Sequence, residues 1–70
     1  MNQFILIFDI PRKSGPLRSK IHRKLMKIDA EKIQDSIWFL DRPKELIDLA
    51  KEIKMNGGDA KVMVVREIIL

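Results

Sequence analysis

Apolar and polar positions divide the chain into six segments. Phe4-Ile5-Leu6-Ile7-Phe8 is an unbroken apolar run that ends at Asp9, followed by Ile10 and Pro11. β-Branched and aromatic residues favour a pleated strand. A run without alternation predicts a strand buried on both faces. The first strand therefore covers about residues 3–9, with Phe4, Leu6 and Phe8 on one side and Ile5 and Ile7 on the other. Asp9 falls at the strand exit, on the Ile5/Ile7 side. A carboxylate there has to be solvated, capped, paired or bound to metal.

Residues 10–16 form a turn-rich basic loop containing Arg12 and Lys13. Ser14 or Gly15 can cap a helix there, and Pro16 suits a first turn. The spacing of Leu17, Ile21, Leu25 and Ile28 predicts a helix over about 16–28. Lys20, Arg23, Lys24 and Lys27 make a second, cationic stripe on it, Arg18 adds a further charge, and no acidic residue precedes Asp29. Such a flank is either a phosphate-facing surface or a solvated face. Residues 31–40 read as a short hairpin turning at Asp35-Ser36, with one bent strand as the competing reading. Neither residue type is ideal where a turn requires positive φ.

Asp41 is an N-cap candidate and Pro43 fits the first turn of a second helix over about 42–55. Its apolar stripe is Leu46, Leu49, Ala50 and Ile53, and its polar side is near neutral. Asn56-Gly57-Gly58 closes it with residues that tolerate the left-handed conformation. A last strand spans about 60–66, and Ile68-Ile69-Leu70 extends it or forms a fifth short strand.

Strand–helix–strand–strand–helix–strand predicts one α+β domain over residues 1–70, a ferredoxin-like βαββαβ sandwich. Two helices cover only one face of its antiparallel sheet. The apolar residues of the other face then call for a second copy, and burial logic predicts a two-fold homodimer.

Composition narrows the partners. Seventy residues without cysteine allow neither a disulfide nor a thiolate metal cluster, which fits a reducing cytoplasm. The longest apolar runs fall far short of a membrane span, and the N-terminus lacks the pattern of a signal peptide, so no membrane partner is expected. A net charge of +4 suits an anionic partner, with nucleic acid foremost. There is no P-loop, dinucleotide fingerprint or zinc spacing, and the aromatic signature of an RNA recognition motif is missing from the central strands.

Phe8-Asp9-Ile10-Pro11 closing the first strand, a basic helix, and Ile33-Gln34-Asp35-Ser36-Ile37-Trp38-Phe39 together resemble the CRISPR-associated protein 2 family. A closing Asp59…Val65 strand follows in the same order, so the resemblance covers nearly the whole chain. A similar pattern occurs in virulence-associated protein D toxins and in a C-terminal domain of the phenylacetate-pathway repressors, which Trp38 resembles at least as well. The resemblance implies a ferredoxin-like homodimer with a role in antiviral defence. It implies either a metal-dependent endonuclease of RNA or DNA, or a non-catalytic dimer that holds DNA between copies of a partner CRISPR integrase. By position Asp9 matches the aspartate assigned to catalysis and to Mg²⁺ or Mn²⁺ at the dimer interface, and Ser36 matches the serine opening the third strand. Two departures stand out. Only Glu67–Leu70 remain where members carry a longer tail, and Ile37-Trp38-Phe39-Leu40 lacks the acidic residue often found there.

The candidate site residues are thus Asp9 for metal and catalysis, with Arg12, Lys13, Arg18, Lys20, Arg23, Lys24, Lys27 and Ser36 for nucleic acid. Each has a plainer role. Asp9 can cap the turn or pair with Arg12 or Lys13, and Ser36 can simply shape a turn. His22, the one histidine, reads as an inert surface residue, and Trp38 and Phe39 read as core or interface rather than a stacking platform.

Overall fold

A computed structural model describes residues 3–66. The element order is β1 (Gln3–Asp9), a 3₁₀ turn (Arg12–Ser14), α1 (Gly15–Lys27), β2 (Glu31–Gln34), β3 (Ile37–Leu40), α2 (Pro43–Met55) and β4 (Asp59–Val65). The proposed strand extension at Ile68–Leu70 lies outside the described residues. The four strands form one sheet in the order β2-β3-β1-β4. All three neighbouring pairs are antiparallel. This small α+β architecture, with two helices, is compatible with a ferredoxin-like fold.

β1 alternates in burial although its sequence does not alternate in polarity. Leu6 and Phe8 are buried with Ile21 and Leu25 of α1, Trp38 and Leu40 of β3, and Leu46, Leu49, Ala50 and Ile53 of α2. Both helices therefore pack on one sheet face and share a single core. The opposite face carries Ile5, Ile7 and Asp9 in register with Met63, Lys61 and Asp59 of β4. Ile7 and Met63 remain 36% and 49% exposed. The expected burial of β1 on both faces is thus not found in this chain, because α1 and α2 lie on the same side.

The hairpin forms, with Gln34 facing Ile37 across the Asp35-Ser36 turn. No positive φ is needed at either residue, since Asp29 is the one such non-glycine among the described residues. A register shift between Lys32 and Gln34 takes up the twist instead.

Both helices end in the same way. The N–H of Ala30 donates to the Leu25 carbonyl and that of Asp29 to Met26, with Asp29 at φ 60°. The N–H of Gly58 donates to Ile53 and that of Gly57 to Lys54, with Gly57 at φ 92°. Each pair of bonds satisfies the last carbonyls around one left-handed residue.

The expected cap of α2 fails as well. Asp41 does not cap α2. The N-cap position is Arg42, without a side-chain cap, and Asp41 instead lies 3.6 Å from the Arg42 guanidinium. That guanidinium also donates to the Ile28 carbonyl at 2.7 Å, tying the start of α2 to the end of α1. Starting the helix at Pro43, with its preset φ, leaves Asp41 one residue too early to reach the free N–H groups.

Candidate functional site

Where β1 ends, α1 begins and the β2–β3 turn folds back, a cleft of about 670 Å³ opens. Its walls include Asp9 and Ile10 from the β1 exit, Arg18, His22 and Arg23 from α1, and Asp35 and Ser36 from the turn. Bonds to main-chain carbonyls build it. The Phe8 N–H donates to the Ser36 carbonyl at 3.0 Å, stitching the turn to β1. The Arg18 guanidinium donates to the Ile10 carbonyl at 2.7 Å, pinning α1 to the strand exit. Trp38, fully buried behind the cleft, donates its indole N–H to the Asp35 carbonyl at 3.0 Å. It meets the His22 ring edge-on, with centroids 5.2 Å apart. The tryptophan is a core residue here, as its sequence context indicates.

The charges are mixed. Asp35 is bound by Lys32 at 2.7 Å. That ammonium holds the Asp35 carboxyl below the usual aspartate range, and His22 and Arg18 act in the same direction. Arg23 makes no ion pair among the described residues and is exposed.

Of the candidate residues, Asp9, Arg18, Arg23 and Ser36 come together in this cleft. The others do not. Arg12 and Lys13 stand exposed on the 3₁₀ turn. Lys20 and Lys24 point to α2, where both bind Glu52, at 2.9 and 2.7 Å. Lys27 lines a separate groove of about 250 Å³ with Lys24, Glu45, Asp48 and Glu52. The cationic stripe of α1 is thus split. The i, i+4 pair Lys20/Lys24 faces an acidic neighbour on α2 that the sequence of α1 alone does not reveal.

The Glu52 bridge makes a pH prediction. Two lysine ammoniums hold its carboxyl below the usual glutamate value. A carboxyl depressed in the folded state stabilises above its unfolded pKa, about 4.3 for glutamate. That stabilisation disappears as pH falls through the lower folded value. Glu52→Gln should therefore lower stability slightly at neutral pH and converge with wild type under acid. Urea titrations from neutral to acid pH test this, and parallel curves would contradict it.

Asp9 also borders a second, shallower groove of about 310 Å³ on the uncovered sheet face, with Ile7, Asp59, Lys61 and Met63. Asp9 and Asp59 are direct cross-strand partners. Like charges in that position repel. Asp59 accepts the Ala60 N–H at 2.9 Å, while Asp9 is exposed. Among the described residues no group of three His, Cys, Asp or Glu side chains converges to hold a cation. The two carboxylates are hard oxygen donors of the kind Mg²⁺ or Mn²⁺ accepts. In kind they fit such an ion, and among the described residues they stand there as a pair. Sequence reasoning found Asp9 but not Asp59, and the available signal was the antiparallel pairing of the first and last strands.

Among the described residues no helix is long and apolar enough to cross a membrane. No family model matches the chain, and no curated protein matches it.

Proposed function

We propose that this chain is a nucleic-acid-binding protein acting as a two-fold homodimer, with a ferredoxin-like domain of the CRISPR-associated protein 2 type. One observation carries the reading. Asp9 sits where the arginine-bearing cleft meets the uncovered apolar sheet face, so it borders both. A phosphate backbone would lie along Arg18, Arg23 and Ser36, with Arg12 and Lys13 beyond, and a second protomer would cover Ile5, Ile7 and Met63. Arg23 is the strongest phosphate contact, being exposed and free of an ion pair among the described residues. Lys20 and Lys24 contribute less because Glu52 already engages them.

Binding of labelled RNA and DNA as a function of salt tests this. Each phosphate contact adds about 0.9 to the slope of log K against log salt on duplex DNA. Arg23→Ala should weaken binding across all sequences and reduce that slope by about one. Binding that ignores both salt and Arg23 would refute the reading.

Metal-dependent cleavage is a second reading, supported by the pairing of Asp9 with Asp59. Asp9, with its counterpart in the second protomer, would hold Mg²⁺ or Mn²⁺. When bound, the ion would supply Lewis-acid activation of water and phosphate. Asp9→Asn should then abolish Mg²⁺- or Mn²⁺-stimulated cutting while leaving binding intact. Equal cutting by both proteins would eliminate this reading. If neither protein cuts, the dimer is a non-catalytic scaffold, one that would serve a partner integrase in the cytoplasm.

A further inference from the structure

We propose that His22 is a proton-transfer residue for metal-independent cleavage of RNA in the cleft. This rests on the reading that the cleft takes nucleic acid, and adds to it a substrate class and a chemistry. His22 is the one histidine, and there is no cysteine, so it is the one imidazole or thiol available as a proton acceptor.

Its placement distinguishes it from a stray surface histidine. It shares the cleft with Arg18, Arg23, Ser36 and two carboxylates, Asp9 and Asp35. Though exposed, its ring meets Trp38 edge-on, 5.2 Å between centroids at 79°, and Trp38 is fully buried and hydrogen-bonded to the turn. The neighbouring charges do not immobilise it. Asp35 is engaged by Lys32, and Arg18 by the Ile10 carbonyl. Arg23, next to His22 on α1, is left to bind a phosphate. A proton acceptor beside a guanidinium, within one cleft, suits attack by a ribose hydroxyl on its adjacent phosphorus.

In this step the imidazole of His22 accepts the proton of the 2′-hydroxyl. The 2′-oxygen bonds to phosphorus and the bond from phosphorus to the 5′-oxygen breaks. The 5′-oxygen takes a proton from water, and His22 returns its own to solvent. The products are a 2′,3′-cyclic phosphate and a 5′-hydroxyl. Arg23 holds the charge that builds on the phosphoryl oxygens. DNA, lacking the nucleophile, cannot react this way.

The test uses single-stranded RNA with EDTA present, alongside the same sequence with 2′-O-methyl riboses. Wild type should cut the RNA, leave the methylated strand whole, and yield cyclic phosphate ends. His22→Gln should lose at least about 100-fold in rate, the lower end of the range for a lost acid–base group. His22→Phe retains an aromatic ring against Trp38 and should lose as much, with RNA affinity and circular dichroism unchanged. RNA binding without EDTA-resistant cutting, or cutting that survives both substitutions, overturns the inference while leaving the binding proposal standing. Absence of RNA binding overturns both.

Discussion

Trp38→Ala is expected to leave the chain largely unfolded. Trp38 is the largest of the fully buried side chains, and it touches the core from β3 while backing the cleft. Truncating a buried tryptophan costs about 3–5 kcal/mol, through lost transfer energy and the cavity left behind. The Asp35 carbonyl also loses its indole donor, at about 1 kcal/mol. A domain of this length has roughly 4–10 kcal/mol in total, at 0.05–0.15 kcal/mol per residue. The loss is therefore comparable with everything that holds the fold. Trp38→Phe keeps most of the volume and should cost about half as much. Urea denaturation followed by far-ultraviolet circular dichroism separates the two variants. An alanine variant with a near-native midpoint would mean that the cleft wall collapses freely onto α1, contrary to the packing described.

Gly58→Ala has the second largest expected effect, and it acts on Asp9. A β-carbon at Gly58 would stand 2.7 Å from the Ile53 Cγ2 and 2.8 Å from the Asp9 carbonyl oxygen. Neither is the loose end of a flexible side chain. One is a branch close to the α2 backbone, and the other is main chain at the β1 exit. Overpacking of this kind costs about 1–3 kcal/mol. Relief requires β1 to move at Asp9, so backbone resonances of Asp9 and Ile10 should shift with those of Ile53. Gly57→Ala provides the contrast. No atom lies within 4 Å of its added β-carbon, and the cost there is the left-handed φ of 92° alone, about 1 kcal/mol. If Gly57→Ala proved the more damaging, backbone conformation rather than close packing would govern this corner.

The two glycines show what can and cannot be read in one dimension. Asn56-Gly57-Gly58 is legible as a helix stop because glycine tolerates the left-handed region, and Gly57 adopts it. That Gly58 is needed for a different reason, contact with Asp9 forty-nine positions earlier, depends on how β4 enters the sheet. Other elements divide likewise. Leu46, Leu49, Ala50 and Ile53 reveal the buried stripe of α2 by spacing, and all four are buried. Asp41, by contrast, has the right chemistry for a cap, yet Arg42 bonds across to Ile28 and the helix begins at Pro43. Local preference competes there with a tertiary bond and loses.

The site divides along the same line. Asp9 at the strand exit and Ser36 in the turn follow from local pattern. Their meeting in one cleft comes from the β1–β3 pairing, sealed by the Phe8 N–H on the Ser36 carbonyl. The cations of α1 recur at helical spacing in the sequence but are unequal in space. Lys20 and Lys24 are drawn to Glu52, whereas Arg23 faces the cleft.

The sequence by itself indicated the kind and order of the two helices and the strands around them, leaving hairpin against bent strand open at residues 31–40, because apolar spacing and turn residues act within a few positions of one another. Only the tertiary structure decided which charges are already partnered, that Asp59 stands across from Asp9, and that His22 rests against Trp38. Those relations join residues distant along the chain. They depend on strand register and helix placement, and no periodicity within a single segment encodes them.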